Sequence, residues 1–205
     1  MTRRSRPLRL REMVIASGNR HKFDEFQRLL YPLGVTLLFG KDFASVDVEE
    51  TGNSFLENAS LKACAWAWET GRPSLADDSG IEVTALDRRP GVRSARVGVD
   101  DAACRQWLLD ALAGIDDRSA CYTAALVLAL PDGSIAWSVE EHCFGDVALE
   151  PRGANGFGYD PLFIPQGYEM TFGELAPDVK SVISHRARAA RCFVSWLASK
   201  KNMIQ

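Results

Sequence analysis

No Cys-x-x-Cys pair occurs in this sequence, and its five cysteines, Cys64, Cys104, Cys121, Cys143 and Cys192, are odd in number and widely scattered. That spacing speaks against a disulfide framework or a zinc ribbon; the cysteines fall mostly in apolar runs and read as small buried thiols of a reducing, cytoplasmic compartment. An excess of positive charge is missing too. The formal net charge is -3, so an overall field that attracts a nucleic-acid polymer is not expected, while a local basic pocket for one phosphorylated ligand stays open. No apolar run approaches membrane-spanning length, so no membrane partner is expected. The basic stretch at residues 2–7 is not followed by the apolar segment of a secretory signal. Residues 1–10 are therefore expected to form a frayed basic tail and residues 11–205 one domain, with no linker, repeat or low-complexity tract to divide it. What is present is ordinary globular material: 205 residues, 46% hydrophobic and 25% charged, enough to bury one substantial core or a core with two lobes.

Residues 13–16 read as a short buried strand and 17–19 as the turn leaving it. From Lys22 on, Phe23, Phe26, Leu29 and Leu30 recur at helical spacing until Pro32 and Gly34 stop the helix. A second strand is expected over 35–39 and a polar loop over 47–52. Ser54 then suits an N-cap, with Glu57 at the capping-box position, for a helix through Phe55, Ala59, Ala63 and Ala67. The short run at 73–75 is expected to be a strand ending in Asp77 and Asp78. Further expectations are an apolar run over 81–86, a helix over 100–112, a β-hairpin of 120–130 and 135–144 turning at 131–134, and a closing helix over 184–199. Helices interleaved with strands plus a long antiparallel hairpin predict an α/β fold: a single elongated domain, its mixed, twisted central sheet flanked by helices, in two lobes with the active-site cleft between them.

Ala76-Asp77-Asp78-Ser79-Gly80 joins two carboxylates to a hydroxyl and a glycine. An acid aimed from a strand end into a cleft can hold a divalent cation or orient a water molecule. Asp-Asp-Ser-Gly is also ordinary turn chemistry, and only its company favours the first reading. Ser17-Gly18-Asn19-Arg20-His21-Lys22 places exposed N–H groups, a helix start and an ammonium where phosphate would be favoured, without the spacing of a Walker A loop. Glu49, Glu50 and Glu57 supply further carboxylates; one of these with Asp78 would suffice for magnesium. Lys62 lies inside the same helix, as a surface lysine or a phosphate contact. Phe157-Gly158-Tyr159-Asp160 can stack a base and accept a hydrogen bond from it, or can simply cap the core. Lys180, His185 and Arg186 gather donors near a helix start.

Taken in order, Ser17-Gly18-Asn19-x-x-Lys22, residues 50–59, residues 76–80, residues 90–96, residues 156–161 and Ile183-Ser184-His185-Arg186 make the chain similar to the inosine triphosphate pyrophosphatase family. The resemblance implies a homodimeric, Mg2+-dependent enzyme that converts inosine, deoxyinosine and xanthosine triphosphates to the monophosphate and pyrophosphate. Carried over, Ser17, Gly18, Asn19, Arg20, His21 and Lys22 would bind triphosphate, Glu50 and Asp78 would hold metal, and Asp78 would also act on the attacking water. Lys62, Ser79, Phe157, Gly158, Tyr159, Asp160, Lys180, His185 and Arg186 would complete the pocket. Donors from His185 and Arg186 are expected to read a 6-keto oxygen. The chain departs from the family pattern at Arg93, Gly173 and Ala187, which bears on fine specificity. A pyrophosphatase for modified pyrimidine or methylated nucleotides, a nucleotide-binding module without turnover and a purely structural interaction protein are the alternatives, the last leaving the acids and lysines at strand ends unexplained.

Overall fold

The computed structural model describes residues 10–202, and the expected tail at residues 1–9 lies outside them. Leu10, assigned to that tail, is instead buried against the core. The described strands are β1 (Glu12–Ile15), β2 (Thr36–Phe39), β3 (Ser74–Val83), β4 (Ser119–Ala129), β5 (Ile135–Val147) and β6 (Phe163–Pro165). The helices are α1 (Arg20–Leu30), α2 (Phe55–Thr70), α3 (Asp101–Ala111), α4 (Pro177–Ile183) and α5 (His185–Asn202). One six-stranded sheet runs in the order β2-β1-β3-β4-β5-β6. Its β1–β2 and β1–β3 pairs are parallel and the rest are antiparallel, so the sheet is mixed, as the interleaved pattern predicts.

Period-2 alternation decides what each face carries. Met13, Ile15 and Leu75, with Leu126 and Leu128, face one way and receive Phe23, Phe26 and Leu30 of α1 and Ala189, Ala190, Phe193 and Leu197 of α5. Val14, Ala16, Ala76, Ala125 and Val127 face the other way, against Phe55, Ala59, Ala63, Trp66 and Ala67 of α2. The alanines on α2 present little side-chain bulk to this face. A third cluster at the far end of the sheet joins Ile81, Val83, Leu108, Phe163 and Phe172. The helix-start chemistry holds in detail: the Ser54 hydroxyl accepts from the Glu57 N–H at 3.2 Å, and the Glu57 carboxylate accepts from the Asn53 N–H at 2.6 Å.

The strand expected to stop at Asp77-Asp78 does not stop. β3 continues through both acids to Val83, paired with β4 along its full length, so the apolar residues from Ile81 belong to the same strand. Acids persist in mid-strand because helices on both faces bring cations to them. The short elements β6 and α4 were not anticipated. No disulfide forms among the described cysteines; Cys104 and Cys143 are buried, while Cys64, Cys121 and Cys192 are only half-buried.

Candidate active site

The cleft begins where β1 ends. β1 pairs with β3 only at Val14↔Ser74 and Ile15↔Leu75, and its last link is the Ala16 N–H donating to the Leu75 carbonyl at 2.9 Å. β1 gives way to residues 17–19 and α1 while β3 runs on, so the edge of β3 opens as the acids begin. In open α/β sheets, the crevice beyond the carboxyl ends of parallel strands is where ligands bind. The Asn19 side chain caps α1 by accepting from the Lys22 N–H at 3.2 Å, and the Ser17 hydroxyl accepts from the Asn19 N–H at 3.0 Å. The turn is thereby fixed with Lys22 in the first helical turn.

Adjacent strand residues point to opposite faces, and this separates the two aspartates. Asp77 faces α1 and α5: Lys22 Nζ lies 2.6 Å from Oδ2, and Arg186 donates to both oxygens at 3.1 and 3.2 Å. Burial opposes ionisation of Asp77, but the Arg186 and Lys22 charges override it and hold the carboxyl well below the usual range. Burial pushes the pKa of the Lys22 ammonium down, and with repulsion from Arg186 and Lys62 it outweighs the opposing pull of the Asp77 carboxylate. Asp78 faces α2, where Lys62 Nζ lies 2.6 Å from Oδ1 and 3.2 Å from Glu50 Oε1. The other Glu50 oxygen is held by Arg96 at 2.6 Å. Burial raises the Asp78 carboxyl above its ordinary value despite Lys62, while Asp78 and Glu50 together raise Lys62 against its own burial. Asp78 Oδ2 is buried and has no hydrogen-bond partner.

Two cavities adjoin here. The larger, about 390 Å³, is lined by Ser17, Gly18, Glu50, Lys62, Asp77 and Asp78, among others. The smaller, about 110 Å³, is walled by Tyr122, Phe157, Gly158, Tyr159, Asp160, Lys180, His185 and Arg186. Asn19, Lys22, Ser79 and Ala95 border both. In the smaller cavity the Asp160 carboxylate accepts from the Phe157 N–H at 2.8 Å and from Lys180 at 2.6 Å, and Lys180 Nζ sits 4.8 Å above the Phe157 ring. The loop takes this form because Gly156, at φ 76°, leaves room for the Asp160 carboxylate that a Cβ would strike. Tyr159 is fixed by donating its hydroxyl to the Ser94 carbonyl at 2.7 Å. His185 stacks on Tyr122 with ring centroids 4.5 Å apart, and its Nδ1 is buried without a partner. Burial, with Arg186 and Lys180 nearby, drives its pKa well below the ordinary value, so the imidazole is neutral.

Most of the anticipated residues therefore meet, with exceptions. Arg20 and His21 line neither cavity: Arg20 pairs outward with Asp24 at 3.0 Å, and His21 stacks on the back of the pocket against Phe157. Residues 20 and 21 begin α1, and the helix's rotation carries only Lys22 inward. Arg186 is not a free donor for a base. It is fully buried, and its guanidinium is taken up by Asp77, by Glu25 at 2.6 Å and by Ser79 at 2.8 Å. Glu25 was missed, although it lies three residues after Lys22 on the same face of α1; it bridges Arg186 and Lys180, the latter at 2.9 Å. Arg96 ends the motif at residues 90–96, and Lys41, which also lines the larger cavity, lies outside every motif of the sequence. Of the departures from the family pattern, Arg93 is exposed, Ala187 is fully buried, and a methyl at Gly173 would strike the Arg152 carbonyl.

Fold and cleft define an α/β protein with cations and carboxylates gathered at the switch point of its sheet. The chain belongs to the Ham1 family, whose model matches residues 13–196, and this bears out the resemblance seen in the sequence. It is 45% identical over 183 residues to a protein of Deinococcus radiodurans named dITP/XTP pyrophosphatase, covering 88% of this chain and 90% of that one. A protein of the same name from Gluconobacter oxydans is 41% identical over 187 residues, covering 90% of this chain and 89% of that one. Among solved structures, a HAM1 protein from Coxiella burnetii is similar at 40% identity with a TM-score of 0.82, covering 93% of this chain and all of that one.

Proposed function

We propose that this chain hydrolyses the non-canonical purine nucleoside triphosphates dITP, ITP and XTP at the α–β bond, releasing the monophosphate and pyrophosphate, with Mg2+ as cofactor. The observation that carries the reading is the convergence of Asp78 and Glu50 on one point, Lys62 Nζ, in the wall of the larger cavity, with Asp78 Oδ2 buried and unpartnered beside Ser79, which borders both cavities. The names of the similar proteins support the substrate class.

The donor set fits a hard cation. Glu50 and Asp78 offer carboxylate oxygens only, and one or two such groups suit magnesium when phosphate and water fill the remaining positions. Among the described residues no group of three or more His, Cys, Asp or Glu side chains could hold a metal ion by itself, so substrate and water would supply most of the ligands. When bound, the ion would supply Lewis-acid polarisation of phosphoryl oxygens. The chain's own groups do the rest. Lys22, Lys62 and the Gly18 N–H bind and orient the phosphates at the start of α1, the N–H groups of Ser17 and Asn19 being taken by the Ile15 carbonyl and the Ser17 hydroxyl. Asp78 Oδ2, which has no hydrogen-bond partner, accepts the proton of the attacking water.

The base occupies the smaller cavity against Phe157 and Tyr122. Its polar reader is His185, whose neutral imidazole keeps an unpaired nitrogen. In the tautomer protonated on that nitrogen it donates to a 6-keto oxygen, whereas a 6-amino group would leave donor facing donor. Buried mismatches of this kind can change specificity by about 10⁴. The enzyme is read as a cytoplasmic homodimer. A panel of triphosphates tests the proposal: kcat/KM for dITP and XTP should exceed that for dATP by orders of magnitude, and equal rates would overturn the base assignment.

A further inference from the structure

Lys41 stands in the turn after β2, at residues 40–42, and its side chain lies across Gly18. A Cβ on Gly18 would sit 3.0 Å from Lys41 Cε and 3.6 Å from Nζ. The turn itself is pressed against the end of β1 and against α2, because a Cβ on Gly40 would come within 2.7 Å of the Trp66 ring and 2.9 Å of the Ile15 carbonyl. Lys41 is thus anchored by its backbone beside the phosphate turn, not on a wandering loop.

Its charge is unlike that of its neighbours. Within the larger cavity Lys22 is paired with Asp77, Lys62 with Asp78 and Glu50, and Arg96 with Glu50. Among the described residues Lys41 has neither an ion pair nor a hydrogen-bond partner, so no carboxylate has to be displaced before its ammonium can meet an anion. Position completes the argument. Asn19, Lys22 and Ser79 border both cavities, whereas Lys41 and Gly18 border only the larger. A nucleotide with its base in the smaller cavity passes Lys22 first, and its outer phosphates lie in the part of the larger cavity that Lys41 flanks.

We propose that Lys41 is a further substrate-binding residue, contacting the β- and γ-phosphates that leave as pyrophosphate. The assignment rests on the triphosphate reading above and adds to it a selection for chain length: a monophosphate does not reach Lys41. A charge-assisted hydrogen bond of this kind corresponds to about tenfold or more in affinity.

The test uses the full chain with Mg2+ and compares the native protein with Lys41→Ala and Lys41→Arg. For Lys41→Ala, KM for dITP should rise about tenfold with kcat held within about twofold, and the inhibition constant of inorganic pyrophosphate should rise by a similar factor. Inhibition by deoxyinosine monophosphate should be unchanged, and Lys41→Arg should recover most of the loss. Thermal unfolding monitors the fold in each variant. Unchanged KM and unchanged pyrophosphate inhibition in Lys41→Ala would overturn the proposal, as would equal weakening of monophosphate and pyrophosphate, which would mark a general field. If the native protein neither turns over dITP nor binds pyrophosphate, the triphosphate reading itself fails, and with it this one.

Discussion

Replacing Asp78 with asparagine preserves the side chain's size and its contact distance to Lys62 while removing the anion and the proton acceptor at Oδ2. The expected outcome is a fall in kcat of about 10² to 10⁴ with the fold intact, checked by single-turnover kinetics beside circular dichroism. Asp77→Asn should behave differently. Its carboxylate is the shared counter-ion of Lys22 and of the fully buried Arg186, so neutralising it strands Lys22 and leaves Arg186 with Glu25 as its one ion pair. A stability loss of about 3–5 kcal/mol is expected by denaturant unfolding. The sequence carried half of this distinction: alternation along a strand says that only one of two adjacent acids faces a given partner, and the motif selected Asp78. What it did not carry was the partner of Asp77, because Arg186 lies 109 residues away and meets it only when α5 packs on the sheet.

At the level of elements, α1 does more than carry Lys22 to Asp77. Glu25, one helical turn beyond Lys22, ties α1 to Lys180 of α4 and Arg186 at the start of α5. Burial alone would raise the Glu25 carboxyl, but Arg186 and Lys180 outweigh it and bring it down from 4.5 to about 2. A depressed folded value means that these pairs stabilise the fold fully above about pH 4.5, and that the contribution disappears as pH falls through about 2. Glu25→Gln should therefore cost about 3 kcal/mol near neutral pH, with the gap to the native protein closing as unfolding is followed into acid. The long elements were legible beforehand, since α1, α2, α3, α5 and the β4–β5 hairpin carry clear periods and turn signals. The short ones were not: α4 spans seven residues and β6 three, too few to show a period. β3 was read as two pieces because acids interrupt its apolar pattern, and those acids are tolerated only through charges that α1, α2 and α5 bring from elsewhere.

Across the whole molecule, a net charge of -3 coexists with a cleft in which Lys22, Lys41, Lys62 and Arg96 surround the larger cavity. Asp47, Glu50, Asp77 and Asp78 line the same cavity, so its cations act pairwise and at short range, which suits one small phosphorylated ligand better than a polymer. Among the described residues no helix is long and apolar enough to cross a membrane. The two cavities meet at Asn19, Lys22 and Ser79, with Asp78 in the wall of the larger, and the proposed function, with the base in one and the phosphates in the other, commits to one cleavage position. The direct test is to incubate the protein with dITP and Mg2+ and follow the products by phosphorus NMR. The account predicts deoxyinosine monophosphate and pyrophosphate in equal amounts, with turnover lost on adding excess chelator. Deoxyinosine diphosphate with orthophosphate, or undiminished hydrolysis in the chelator, would contradict it.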